Sequence, residues 1–414
     1  MKEEIENNLN NPEALEQLYR RNKNLFTKHF DNIFPVIQSN LVAQCWNHRL
    51  HFDEREVSLG QKYELWVVIG LSVLAGLVAK LPDFVGMDAD LFYQRNLSFI
   101  FFPVLMVYFA WKHQIAMGRI FILMGITLAS AVYINVLPLQ AASDTFLLAS
   151  MHLPFLMWAS AGLAFAGSKL SDHKVRIAFL RYSGDLVVIT TLMLLAGGIL
   201  SAITIGLFQL INLNIEDFYF RNVAIWGLAA APLVGTYLMR MNPHLVQHVS
   251  PVVSRVFTPL VLIMLVVYLA AMIYTGKNPY TDRDFLLVFN ALIVGVLALI
   301  LFSISGSGAK NLTTFHAILL FALSVVTIVV NSIALSAIVF RIAEWGITPN
   351  RLAVLGANVL MLVNLLMVAF QLFKTLKNPQ ELDQVEKSIA LYLPAYGIWV
   401  AVVIFIFPIL FQFR

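Results

Sequence analysis

From residue 63 to its end, this chain of 414 residues is a near-continuous series of apolar stretches. Each is close to the roughly 20 residues that cross a bilayer as a helix. Eleven can be delimited, at about 63–81, 97–111, 119–137, 146–167, 185–211, 221–239, 256–276, 285–305, 313–340, 352–373 and 391–412. In hydrocarbon every backbone N–H and C=O must find its partner inside the protein, so stretches of this length select helices. The expected fold class is all-α: a polytopic transmembrane helical bundle of about eleven membrane helices over 63–414, with a small N-terminal cytoplasmic helical module over 1–62. Hydrophobic residues make up 59% of the chain and charged residues 13%, which no soluble domain of this length shows. The lipid bilayer is thus the first expected partner.

Orientation follows from the basic residues. With eleven crossings, the N-terminal region and the even-numbered loops share one side, and 20 of the 28 Lys and Arg fall there or on its flanks. The N-terminus is expected in the cytoplasm and the C-terminus outside. The same placement accounts for the net charge of +4 without a nucleic-acid partner. The first apolar run starts too deep to be a cleavable signal peptide, so it must act as the insertion signal itself. Cys45 is the single cysteine, which excludes an intrachain disulfide and thiolate metal clusters.

The first 62 residues are a different material. Asn11, Pro12 and Glu13 read as a helix cap, a proline at the first helical position and an acid in the first turn. Leu15, Leu18 and Tyr19 then form an apolar stripe. A second helix start is expected at Pro35, leading to Ile37, Leu41 and Cys45 on one line and Val42, Trp46 and Leu50 beside it. Such amphipathic helices dock on membrane helix ends or lie among headgroups. A cytosolic protein partner through residues 1–62 stays open beside that reading.

Ionisable groups inside a membrane mark function, because they are costly unless paired or wet. None stands at mid-segment here: Glu64 and Asp185 lie at segment ends and Asp144 in a loop. That disfavours a carrier coupled through a midplane carboxylate, while coupling sites of carbonyls and hydroxyls remain open. What the membrane segments do carry is neutral. Ser324, Thr327 and Asn331 follow i, i+3, i+7 on the ninth stretch, and Asn364 and Gln371 stand seven apart on the tenth. Asn290, Asn358 and His316 lie on the same group of segments. These residues are the candidate substrate-binding set, and the plainer alternative is interhelical hydrogen bonding worth about 0.6 to 2 kcal/mol each.

Small residues point to close helix packing, with Gly227, Ala231 and Gly235 every four residues on the sixth stretch and Gly162 with Ala166 on the fourth. Pro154 and Pro232 interrupt those two stretches. No internal match between the halves supports an inverted repeat. His244 and His248 stand one turn apart without a third ligand, and His152 is a lone histidine, so neither a metal nor a cofactor is expected. Nucleophile-elbow, zinc-protease, P-loop and dinucleotide motifs are absent, which leaves an enzyme as the third reading.

The most distinctive local sequence joins the ninth and tenth stretches. Arg341, Glu344, Trp345 and Arg351 gather around a turn in which Gly346 can end one helix, Thr348 cap the next and Pro349 open it. Arg341 and Glu344, three apart, are placed to pair. The group reads as a mouth or lid over the polar stripes, or as an interfacial anchor.

Arg341, Trp345-Gly346-Ile347-Thr348 and Arg351 also resemble a family of uncharacterised bacterial multi-pass membrane proteins, catalogued only as a domain of unknown function. The likeness covers about a dozen residues and the many-helix profile; Trp345 stands where tyrosine is expected, and residues 1–62 lie outside it. The resemblance implies a bacterial inner-membrane location and no substrate, cofactor or catalytic residue. Three readings of function remain. The first is a permease-like protein for a small neutral or anionic solute, the second a non-transporting sensor or assembly scaffold, and the third an intramembrane enzyme. A homo-oligomer is compatible with each.

Overall fold

The computed structural model describes residues 2–50, 62–138, 143–276, 280, 283–311, 314–377 and 382–413. Among the described residues all regular structure is helical. The chain divides into two compact units, residues 1–61 and 62–414.

The first unit holds α1 (Lys2–Asn7), α2 (Pro12–Arg21), α3 (Lys23–Ile37) and α4 (Leu41–Leu50). Asn11 caps α2 as its sequence suggests, its side chain accepting from the Ala14 N–H at 3.2 Å. Pro35 does not start a helix but lies inside α3, and α4 begins six residues later. The reason is the cap: Asn40 Oδ1 accepts from the N–H groups of Val42 at 2.8 Å and Ala43 at 3.2 Å, satisfying donors that a start at Pro35 would leave to solvent. That shift sets the buried face. Ala43 and Trp46 join Ile5, Leu15, Phe26, Phe30 and Ile33 in a small core, while Leu41 and Cys45 are exposed. Phe26 lies 5.1 Å from Trp46 and 5.7 Å from Tyr19, centroid to centroid. Arg49 covers the Trp46 ring at 4.5 Å and reaches Glu16 at 2.6 Å. With Arg20 it holds the Glu16 carboxyl below the usual carboxylate range.

The second unit holds α5 (Lys62–Ala79), α6 (Leu81–Val85), α7 (Ala89–His113), α8 (Met117–Val136), α9 (Asp144–Ala166), α10 (His173–Leu210), α11 (Glu216–Tyr219), α12 (Ile225–Met241), α13 (Pro243–Thr275), α14 (Arg283–Asn311), α15 (Thr314–Trp345), α16 (Pro349–Lys377), α17 (Leu382–Ala401) and α18 (Phe407–Leu410). Among the described residues eight helices are long and apolar enough to cross a membrane, with α11 and α12 counted as one through their π turn and α17 and α18 likewise. These are the apolar helices of a multi-pass membrane protein. Shorter apolar runs, Tyr63–Ala79 and Phe289–Ser305, lie in α5 and α14. The remaining stretch, 97–111, belongs to α7, whose 25 residues include Asp90, Arg95 and Lys112. Two sequence uncertainties resolve locally: α7 extends well beyond the short apolar run, and α10 continues for 38 residues through Gly197 and Gly198.

Two π turns, Phe220–Ala224 and Val402–Ile406, interrupt otherwise α-helical runs. A π turn releases a backbone carbonyl from the regular ladder. In both, a side chain from elsewhere in the unit takes one up. Lys80 donates to the Arg221 carbonyl at 2.8 Å, and the Tyr133 hydroxyl to that of Phe405 at 3.2 Å.

Close approach follows the small residues that the stripes suggest, with Gly227 as the exception. Ala231 is buried, and a Cβ on Gly235 would sit 3.0 Å from Thr190 Oγ1, so this part of α12 packs against α10. Gly227, on the same stripe, is exposed and would meet nothing within 4 Å. Its neighbour Trp226 makes the contact instead, its indole lying directly over Gly76 of α5. A Cβ on Gly162 would stand 2.8 Å from the Phe179 ring.

Candidate functional site

The polar stripes meet in the part of the second unit built by α14, α15, α16 and α17. Helices α15 and α16 form a hairpin around Gly346, whose φ of +79° suits glycine and whose N–H donates to the Ile342 carbonyl at 2.9 Å. Thr348 caps α16, accepting from the Arg351 N–H at 3.3 Å, and Pro349 opens it. The hairpin lays one face of α15 against one of α16. Ser324, Thr327, Asn331 and Asn358 are 0% exposed and Asn364 1%.

Asn331 and Asn358 are joined with Asn290 across three helices. Asn331 donates its amide to the main-chain carbonyl of Asn358 at 3.2 Å, and Asn358 donates to Oδ1 of Asn290 at 2.8 Å. Asn364 goes elsewhere. Six residues on from Asn358 the helix has turned by about 240°, and its amide donates to the Tyr396 hydroxyl of α17 at 2.9 Å. Gln371 is half-buried, and its main-chain carbonyl accepts from Thr375 at 2.9 Å. Ser324 and Thr327 donate to carbonyls one turn earlier, Leu320 at 2.8 Å and Leu323 at 2.6 Å. Each hydroxyl thereby satisfies its proton within its own helix. The side-chain oxygens of Asn331, Asn358 and Asn364 have no hydrogen-bond partner among the described residues. Such buried acceptors cost about 1 to 3 kcal/mol each when nothing donates to them.

At the end of the hairpin, Trp345 stands between two guanidinium groups, Arg341 at 5.3 Å and Arg351 at 5.8 Å from its ring centroid. Arg351 also donates to the carbonyls of Trp345 at 2.9 Å and Gly346 at 2.7 Å, closing the C-terminus of α15 with a positive charge. Glu344 is exposed and makes no ion pair with Arg341 among the described residues. The cation–π contact with Trp345 holds Arg341 in place of the expected i, i+3 pair.

Two charged clusters were not legible in the sequence. Glu64, its side chain 3% exposed, accepts from the Tyr108 hydroxyl at 2.7 Å, pairs with Lys112 at 3.2 Å and bonds Arg240. Glu386, buried near the start of α17, stands 3.9 Å from Arg181 of α10, which bonds the Ser305 carbonyl of α14. Each residue was visible as a charge near an apolar stretch; its partners lie on helices distant in sequence.

His152 binds the Leu148 carbonyl of its own helix at 2.8 Å, and His316 is buried. The side chains of His244 and His248 lie outside the described ones. Among the described residues no three His, Cys, Asp or Glu side chains group as a metal site. A cleft of about 320 Å³ between α7, α9, α10 and α12 is lined by Phe102, Phe109, Trp158, Phe179 and Tyr182, and another of about 700 Å³ lies by Tyr133 and Phe413. The asparagines line neither. Comparison with protein-family models, curated proteins and solved structures finds no match to this chain.

Proposed function

We propose that this multi-pass membrane protein is a permease that moves a small neutral or anionic solute along α14 to α17. The observation that carries the reading is the group of buried asparagines whose side-chain oxygens meet no donor among the described residues. Amides placed only to hold helices together would be expected to satisfy both ends. The solute is recognised by donating to such oxygens, and the Arg341, Trp345 and Arg351 group at the hairpin end attracts anionic solutes to the entrance. The resemblance of residues 341–351 supports a bacterial inner-membrane location.

In purified protein reconstituted into liposomes, labelled small polyols, neutral amino acids and monocarboxylates form the panel for uptake. Asn364→Leu should abolish uptake of whichever member enters and leave the folded yield nearly intact. A parallel fall in yield and uptake would make Asn364 structural, and no uptake of any member would count against the permease.

The topology belongs to the same proposal: eleven crossings, N-terminus in the cytoplasm, C-terminus outside. Its support is the distribution of 20 of 28 basic residues to one side, together with the meeting of Glu64, at the start of α5, with Lys112 and Arg240, at the ends of α7 and α12. Cysteines introduced one at a time into a Cys45→Ser background should label from the cytoplasmic side at 168–184 and from the outside at 346–348. Labelling of both loops from one side would exclude eleven crossings.

A second reading, a sensor or scaffold, draws on the first unit. Val36 is 84% exposed and Leu41 74%. Two such side chains in one α3–α4 connection suit a protein partner. A Val36→Asp, Leu41→Asp variant should keep full uptake if the permease reading holds.

A further inference from the structure

The asparagine cluster has an excess of acceptors, and their sign identifies what it takes. Asn331 donates to the main-chain oxygen of Asn358 at 3.2 Å. A main-chain carbonyl only accepts, so that bond fixes the nitrogen end of the Asn331 amide and turns Oδ1 away from it. Asn358 spends one amide proton on Asn290 Oδ1 at 2.8 Å. Both Oδ1 atoms, on residues 0% exposed, have no donor among the described residues. On the same stripe of α15, one and two turns earlier, Thr327 and Ser324 have given their protons to carbonyls of their own helix and present only lone pairs further. From 289 to 343 and from 349 to 376 the chain has no Asp or Glu. The site is therefore oxygen-rich and uncharged, with two side-chain oxygens that no donor meets among the described residues. Divalent cations call for carboxylates, whereas a monovalent cation is held by neutral carbonyl and hydroxyl oxygens that replace its hydration shell.

We propose that Asn331 and Asn358, with the hydroxyl oxygen of Thr327 one turn away on the same stripe, bind a small monovalent cation of the alkali or ammonium class, which acts as the coupling ion of the permease. The coupling role rests on the transport reading; the binding does not. In full-length protein in lipid nanodiscs, Na⁺, K⁺ or methylammonium should raise the unfolding temperature saturably against choline at constant ionic strength. Equilibrium binding of labelled Na⁺, Rb⁺ (as a K⁺ stand-in) or methylammonium should then show one saturable site. Asn331→Leu should weaken that affinity by about tenfold or more, and Asn331→Asp, which adds a formal negative charge, should strengthen it by about tenfold. Should Asn331→Leu not fold, Thr327→Val should still weaken binding several-fold. Ser332→Ala, which removes an exposed hydroxyl bonded to the Ile328 carbonyl of its own helix, should leave the affinity unchanged. If none of the three cations binds saturably, or if Ser332→Ala weakens binding as much as Asn331→Leu, the site is overturned. Saturable binding without solute uptake would keep the site and remove the permease; uptake indifferent to cations, with no saturable binding, would keep the permease and remove the site.

Discussion

A Lys112→Ala, Arg240→Ala double variant should lose most of its folded yield in detergent, and adding Glu64→Gln should restore much of it. Among the described residues Glu64 is the most enclosed carboxylate, its side chain 3% exposed and surrounded by Tyr108, Lys112 and Arg240. The two cations are less enclosed, at 25% and 43%, so their own attraction to it is screened by solvent. The energy at stake lies in the carboxylate. Removing both cations leaves a buried negative charge supported by one phenol, a loss of about 3 to 5 kcal/mol against a total stability on the order of 5 to 15. Glutamine removes the charge and keeps an acceptor for the Tyr108 hydroxyl, hence the recovery. Each single alanine variant should cost less, because the other cation remains. Size-exclusion profiles and thermal unfolding of the four variants form the test. A double variant as stable as the parent would mean that the carboxylate turns out to water or takes a proton at little cost, and the cluster would lose its place as the tie between α5, α7 and α12.

The contrast between what could be read from the chain and what could not follows from the range of each signal. Apolar length is a local property, so each stretch falls on a helix, and the caps at Asn11 and Thr348 and the glycine turn at 346 are where their residue types suggest. Pro35 misled because a proline is also tolerated inside α3, while the stronger cap, Asn40, lies outside the apolar pattern. Pair partners are not local. Nothing in the sequence says that Asn331 meets Asn358 while Asn364, on the same helix as Asn358, meets Tyr396, since both depend on how α14 and α17 flank the α15–α16 hairpin. The glycines divide similarly. A four-residue repeat marks Gly235 correctly and Gly227 incorrectly, because small residues open a surface without stating what fills it.

Gly356→Leu should be the most disruptive single substitution in α16. Gly356 lies on the face that meets α17, where the indole of Trp399 occupies the space a side chain would need: even a Cβ would overlap the ring. The indole cannot readily withdraw. It packs edge-on to Phe407 at 5.8 Å, within a cluster that includes Leu148, Ala353 and Val403. Leucine would add four carbons where one does not fit, so a loss at the upper end of the roughly 1 to 3 kcal/mol for overpacking, or beyond it, is expected. Helix propensity runs the other way, since replacing glycine inside a helix gains about 1 kcal/mol. Any loss must then come from the contact with α17. Gly295 provides the control, being exposed on α14 with nothing within 4 Å of its Cβ position; Gly295→Leu should be tolerated. Combining Gly356→Leu with Trp399→Ala should recover part of the loss, a coupling that appears only between residues in contact. If Gly356→Leu and Gly295→Leu unfold at the same temperature, α16 does not lie against Trp399, and the placement of α17 beside the Asn364 amide would have to be redrawn with it.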